Sequence, residues 1–137
     1  MTDSVFIDSN IWVYAFSRED ENKYKISHKF IFECKNNILL VTSHQVINEV
    51  SNILLKKKFS EKQIRNVIEY FQAMCFIQEN NKEIALLASD IREKYSVSFW
   101  DSQIIASAIT AGCNRLASED MQDGQIINGT RIYNIYK

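Results

Sequence analysis

Short apolar runs alternate with longer amphipathic segments along the whole chain, and this alternation restricts the possible fold more than any other feature. The strands are predicted at 5–7, 38–41, 75–78, within 113–118 and at 131–136, and the helices at 9–16, 19–34, 44–58, 60–73, 80–95 and 98–111. Strands separated by helices form a parallel sheet that carries helices on both faces. The last strand, "RIYNIY", alternates apolar and polar residues as an edge strand would.

Some helix ends are also marked in the sequence. Ser9 or Asn10 is expected to cap the first helix, and "SEKQ" after Phe59 has the spacing of a capping box. Asn80 or Asn81 is the expected cap of the fifth helix. Gly112 is a typical C-terminal stop signal for the sixth.

Composition places the chain among ordinary folded proteins. Its 137 residues fit one domain spanning 1–137, and 46% of them are hydrophobic while 24% are charged. The sequence shows no signal peptide and no membrane-spanning stretch. Its 3 cysteines form no CxxC pair, which favours reduced thiols and a cytoplasmic location. The formal net charge of -1 means that a nucleic acid would have to bind a local basic patch.

Acidic residues follow the predicted strands at points far apart in the chain. Asp8 ends the first strand in "VFIDSNIWVYA", Glu49 lies in the helix after the second, and Asp101 lies in the first turn of "FWDSQIIASAI". The acids that follow the strand in "RLAS" are Glu119, Asp120 and Asp123. Because the carboxyl ends of parallel strands lie at one edge of a sheet, these carboxylates can converge there.

Converging carboxylates need a counter-charge. Each like-charge pair a few ångströms apart repels by roughly 3–4 kcal/mol, and four such groups would exceed a typical domain stability of about 5–15 kcal/mol. Either protons or a cation neutralise the acids, or they do not cluster. A set of oxygen ligands favours Mg²⁺ or Mn²⁺, and such sites carry phosphoryl chemistry. Taken singly, Asp101, Glu119 and Asp123 are explained as well or better by helix capping or dipole compensation.

Three stretches of the sequence resemble the motifs of PIN domains, most closely those of the toxin nucleases of VapBC-type toxin–antitoxin pairs. "VFIDSNIWVYAF" resembles the first motif, and "SHQVINEVSNIL" resembles the second. The segment from "VSFWDSQIIASAITAG" to "RIYNIY" resembles the third and fourth motifs with the closing strand. The resemblance covers essentially the whole chain. It implies a three-layer α/β/α sandwich with a central, mostly parallel sheet of four or five strands, and a metal-dependent ribonuclease.

The resemblance also assigns roles to single residues. The acids at the catalytic and metal-holding positions are Asp8, Glu49, Asp101 and Asp120, and the small polar residues that orient them are Asn10 and Ser118. A second acid often follows the fourth one closely in this family, and Asp123 and Glu119 compete for that role. The implied partners are an RNA substrate, a cognate antitoxin that blocks the site and a second copy of the chain.

These roles imply hydrolysis of RNA with Mg²⁺ or Mn²⁺ as the cofactor. Asp8, Asp101 and Asp120 would hold the ion, and Glu49 would orient the attacking water or a second ion. In-line attack of this kind leaves a 5′-phosphate and a 3′-hydroxyl.

The sequence indicates the residues that contact the substrate less clearly than it indicates the acids. The basic run of Lys56, Lys57 and Lys58 either binds RNA phosphates or stays solvated at the end of its helix, and the second interpretation is favoured. Trp12 and Trp100 lie next to proposed site residues, and both are expected in the core rather than stacked on a base.

Two other interpretations stay open. An aspartate-nucleophile phosphatase would also place an acid after the first strand and a hydroxyl, here Thr42 or Ser43, after the second. Such a phosphatase normally has a second acid where this chain has Asn10. It also has a lysine before its late acids, and Arg115 is poorly placed for that role. A PIN-like module that binds RNA or protein without catalysis is the other alternative.

Overall fold

Strands and helices alternate in the computed structural model, which describes residues 3–137. In chain order the elements are β1 (Ser4–Ile7), α1 (Ser9–Ser17), α2 (Glu21–Asn37), β2 (Leu39–Ser43), α3 (His44–Lys56), α4 (Glu61–Met74), β3 (Phe76–Gln78), α5 (Lys82–Lys94), α6 (Phe99–Thr110), β4 (Arg115–Ala117), β5 (Ile126–Ile127) and β6 (Thr130–Tyr133). The prediction of an α/β protein is confirmed.

The strands form one sheet in the order β3-β2-β1-β4-β6-β5, and all neighbours are parallel except β5 and β6. The chain steps from β1 to β2 to β3 through α1 to α4, and then returns across the sheet to β4 through α5 and α6. Because such crossovers are right-handed, this reversal puts α5 and α6 on the opposite face from the first four helices. The three-layer α/β/α arrangement is therefore confirmed.

The central strands of the sheet end level with one another at its carboxyl edge. Ile7 pairs with Ala117, and Phe6 pairs with Val41. Asp8 thus lies level with Ser118 after β4 and with Ser43 at the end of β2. All residues of β1 are buried, and the strand ends directly before Asp8 at this edge of the sheet.

The number of strands was underestimated, because β5 was not predicted. Ile126 and Ile127 pair with Arg131 and Thr130 in a hairpin. Its two-residue turn contains Asn128 at φ 48° and Gly129 at φ 86°, and positive φ at both positions is the mark of a type I′ turn. The prediction of an edge strand at 131–136 was wrong, since β6 lies between β4 and β5.

Several helix ends lie where the sequence indicated. Ser60 and Gln63 form both bonds of the capping box, Asn81 caps α5, and Gly112 follows α6 at φ 78°. The expected cap of α1 was wrong: Asp8 is the N-cap, because its backbone is extended and its side chain accepts from the Ser9 N–H.

The two tryptophans differ in their surroundings. Trp12 is 1% exposed, donates its indole N–H to the Ile7 carbonyl at 3.2 Å and packs edge-on against Phe71, so it belongs to the core as expected. Trp100 is 62% exposed, which contradicts the prediction that it is a core residue. It lies in the first turn of α6. Within residues 3–137, no helix is long and apolar enough to cross a membrane.

Candidate active site

Asp8 lies at the centre of a group of carboxylates at the carboxyl edge of the sheet. It is 8% exposed, and both of its oxygens accept hydrogen bonds. Ser9 donates its backbone N–H to Oδ1 at 2.7 Å, and Ser118 donates its hydroxyl to Oδ2 at 2.9 Å. These two bonds fix the orientation of the carboxylate at the point where β1 and β4 end, which is a usual place for a binding site in such sheets.

Glu49 reaches the same point from α3. The Ser9 hydroxyl donates to Glu49 Oε2 at 2.7 Å, and Gln45 Nε2 donates to Oε1 at 2.8 Å. Ser9 therefore contacts two acids, Asp8 through its backbone and Glu49 through its side chain. Ser9 was predicted only as a possible helix cap, and Gln45 was not predicted, although its position one turn before Glu49 could have indicated the contact.

Asp101 and Asp120 come from α6 and from the segment after β4. Asp101 lies in the first turn of α6, where its N–H donates to Ser98 Oγ at 3.1 Å. Asp120 is exposed after β4, and Asn10 donates its side-chain amide to the Asp120 carboxylate. Asn10 and Ser118 are thus hydrogen-bonded to Asp120 and Asp8, respectively.

The four acids act on one another electrostatically. The pKa of Asp8 is raised from 3.8 to about 6: burial is the largest cause, and the charges of Asp101 and Glu49 add to it, against the lowering effect of its two hydrogen bonds. Burial also raises the pKa of Asp101, to which the charges of Asp120 and Glu49 add. Acids from four distant segments of the chain therefore share one electrostatic environment.

The donor set of this group suits a hard divalent cation. It consists of carboxylate oxygens, and a cation would favour the ionised form of Asp8 that burial disfavours. Across the part of the chain that the structure describes, no three acidic, histidine or cysteine side chains form a ready-made cage for a metal. An open arrangement of this kind is compatible with Mg²⁺, which commonly takes only one or two carboxylates and keeps several waters.

Glu119 and Asp123, the two candidates for the additional acid, form their hydrogen bonds with residues outside the acidic group. Glu119 accepts from the Tyr14 hydroxyl at 2.6 Å and forms an ion pair with Lys23. Burial opposes ionisation of Glu119, but the hydrogen bonds from Lys23 and Tyr14 outweigh it, so its pKa is lowered. Asp123 is exposed and accepts from the Asn134 N–H at 2.8 Å. The structure brings neither of them to Asp8.

The basic run at the end of α3 is also separate from the acids. Lys57 donates to Glu19 at 2.6 Å, and Lys58 has a left-handed backbone beyond the end of the helix. Lys56 lies seven residues after Glu49, which corresponds to about 10 Å along a helix. Any phosphate bound there would lie well away from the carboxylates.

Comparison with solved structures finds the same fold in toxin–antitoxin proteins. VapBC2 from Rickettsia felis superposes with a TM-score of 0.71 at 17% identity, covering 96% of this chain and 98% of that one. A toxin–antitoxin complex from Klebsiella pneumoniae gives 0.71 at 20% identity, covering 92% and 94%. VapC20 from Mycobacterium tuberculosis, a Sarcin-Ricin loop cleaving toxin, gives 0.64 at 13% identity, covering 82% and 86%.

Two comparisons of the sequence itself bear on the family of this chain. No curated protein matches the chain. The family model described as "PIN domain" matches residues 5–122, which include Asp8, Glu49, Asp101 and Asp120. Because this match spans most of the chain, the protein belongs to the PIN domain family.

Proposed function

We propose that this PIN domain is a metal-dependent ribonuclease and the toxin of a toxin–antitoxin pair. The observation that carries the proposal is the convergence of Asp8, Glu49, Asp101 and Asp120 at one edge of the sheet, with Asp8 and Asp101 electrostatically coupled to the others. Such a group is costly for a fold unless it binds a cation. VapC20, which has the same fold, is a Sarcin-Ricin loop cleaving toxin, and this supports RNA as the substrate.

Each residue of the group has a role in this mechanism. Asp8, Asp101 and Asp120 would hold Mg²⁺ or Mn²⁺, which when bound lowers the pKa of a water and offsets phosphate charge. Ser118 and Ser9 keep the Asp8 carboxylate oriented before substrate arrives. Glu49, held by Ser9 and Gln45, would accept a hydrogen bond from the attacking water and align it with the phosphorus.

The site favours this chemistry over an aspartate-nucleophile phosphatase. Asn10, where such a phosphatase has its second acid, donates to Asp120 and cannot act as a general acid. Thr42 is fully buried, and the Ser43 hydroxyl accepts from the Val46 N–H at the start of α3. Burial thus closes Thr42 to a phosphate, and Ser43 serves as the N-cap of α3.

Cleavage of a total RNA pool tests the proposed activity. Wild-type protein should cut RNA with Mg²⁺ or Mn²⁺ but not with EDTA, and the new ends should carry 5′-phosphates and 3′-hydroxyls. Asp8→Asn should abolish cleavage, whereas Asp90→Asn, which changes an exposed aspartate on α5, should not. Cleavage that survives EDTA or Asp8→Asn would contradict the mechanism. A trapped phospho-aspartyl enzyme would instead support the phosphatase.

A toxin should also have a surface for its antitoxin. A groove of about 230 Å³ lies between α1, α2 and α4, and its rim includes Phe32, which is 53% exposed. An apolar patch of this kind suits an apolar segment of a partner protein. If the chain is a toxin, its expression alone should arrest growth, and expression of Asp8→Asn should not. Equal growth of the two strains would refute the toxin assignment.

The implied homodimer is a separate proposal. Sedimentation of the purified chain at several concentrations would test it, since a dimer should have twice the mass of 16.0 kDa expected for one chain.

A further inference from the structure

A groove of about 920 Å³ opens directly beside the acidic group. It lies between the N-terminal turns of α3 and α6, the end of β3 and the start of α5. Its volume falls within the range of about 300–1,000 Å³ that is usual for ligand pockets. Glu49 is one of its lining residues, so the groove reaches the acidic group at this carboxylate.

The groove is lined mainly by neutral polar side chains. Those with a carboxamide include Gln45, Asn48, Gln78, Asn81 and Gln103. None of the described residues that line it is a lysine or an arginine. Carboxamides both donate and accept hydrogen bonds, as the edges of nucleic-acid bases do, whereas phosphates are bound chiefly by cations and other donors. The lining therefore matches a base better than a phosphate.

Trp100 provides an aromatic face at the rim of this groove. Its side chain is 62% exposed, and its ring lies edge-on to Phe99 with the centroids 5.0 Å apart. Arg92 covers Phe99 at 4.7 Å and donates to the Ser102 hydroxyl at 2.8 Å, which holds that ring in place. Trp100 is thus positioned by its neighbours while much of its indole remains open to solvent.

We propose that this groove binds an unpaired RNA base, with Trp100 stacking on it and the carboxamides contacting its edge. The proposal rests on the ribonuclease function and concerns how this groove holds the substrate: the base must be unpaired, because a paired base could not present its face and edge together. Trp100 directly precedes Asp101, and Gln45 donates both to Glu49 and to the Trp100 carbonyl. A base held here would therefore lie beside the acids that act on the phosphate.

Intrinsic fluorescence can detect this contact without cleavage. The chain has 2 tryptophans, and Trp12 is buried, so quenching by a ligand reports Trp100. A mixed-sequence RNA hexanucleotide, added in EDTA, should quench emission in a saturable manner. A ribose-phosphate oligomer of the same length without bases should not. The same RNA should cause no quenching in Trp100→Phe, whose remaining tryptophan is the buried one.

Kinetics give a second readout. Trp100→Ala should raise KM for single-stranded RNA by about 5- to 150-fold, the loss expected for one stacked base, and should leave kcat within about threefold. Trp100→Phe should recover most of the affinity, since it keeps an aromatic face. Phe76→Ala is the matched control: this phenylalanine is 51% exposed on β3 and does not line the groove, so KM should not change.

The possible failures can be told apart. Absence of quenching, together with normal cleavage by Trp100→Ala, would overturn the base-binding proposal and leave the ribonuclease function intact. Saturable quenching without cleavage of any RNA would support base binding and contradict the nuclease. Emission that changes with protein concentration but not with RNA would show that Trp100 faces a second copy of the chain, and would overturn the proposal.

Discussion

Replacing Asp8 with asparagine should stabilise the metal-free protein at neutral pH while removing its activity. Asp8 is 8% exposed, and burial, with Glu49 and Asp101 nearby, raises its pKa from 3.8 to about 6. Since one pKa unit corresponds to about 1.4 kcal/mol, ionised Asp8 lowers the free energy of unfolding by about 3 kcal/mol at pH 7. Asparagine removes this charge and keeps nearly the same shape.

The sign of the pH dependence follows from the raised pKa. Between about pH 4 and pH 6 the folded protein binds a proton at Asp8 that the unfolded chain has already released. Folding is therefore favoured most at the acidic end of this window, and the advantage is lost as the pH rises through 6. The difference between wild type and Asp8→Asn should be small at pH 4 and largest above pH 7.

The hydrogen bonds at this position should survive the substitution. The asparagine carbonyl can still accept from the Ser9 N–H, and its amide can donate to Ser118 Oγ, whose hydroxyl is free to rotate. For a chain of 137 residues, 1 kcal/mol shifts Tm by about 3–4 °C, so the predicted gain is about 10 °C at most.

Thermal melts followed by circular dichroism in EDTA, at pH 4 and pH 7.5, measure this difference. Asp90→Asn serves as the control, because it removes an exposed aspartate and should melt with the wild type at both pH values. The reasoning would be refuted if Asp8→Asn melted at or below the wild-type Tm at pH 7.5, or if its advantage were equally large at pH 4.

Three further variants test the site by RNA cleavage. Ser9→Ala should lower kcat/KM about tenfold or more, because it removes the hydroxyl that positions Glu49; an unchanged rate would mean that this bond has no role. Asp123→Asn should stay within twofold of wild type, since Asp123 accepts from backbone away from the acids, and a large loss would restore it as a ligand. Lys56→Ala combined with Lys58→Ala should leave KM within twofold; a strong rise would show that RNA binds there.

Most of the fold was predictable because most of its strands and helices have their own local signal. The apolar run before Asp8 and the helical period around Val50 each place an element without knowledge of the rest of the chain. The strand β5 was not predicted because its two residues, Ile126 and Ile127, are too few to show a period. The Asn128–Gly129 pair was the available signal, since Asn-Gly strongly favours a tight hairpin.

The site was predictable only where position along an element determines the outcome. Asp8 and Asp101 lie at element ends, so a parallel sheet brings them to one edge. The bond from Ser9 to Glu49 depends on how α1 packs against α3, and the two residues are 40 positions apart. The orientation of Glu119 likewise depends on Lys23, a distant residue on α2. Local sequence patterns carry no information about such contacts.

The central claim is that the carboxylates of Asp8, Asp101 and Asp120 together bind a hard divalent cation. Titration with Mn²⁺, followed by electron paramagnetic resonance of the free ion, counts the ions bound by each variant. The account predicts that the wild type and Asp90→Asn bind at least one more Mn²⁺ per chain than Asp8→Asn. Equal binding by the wild type and Asp8→Asn would contradict it.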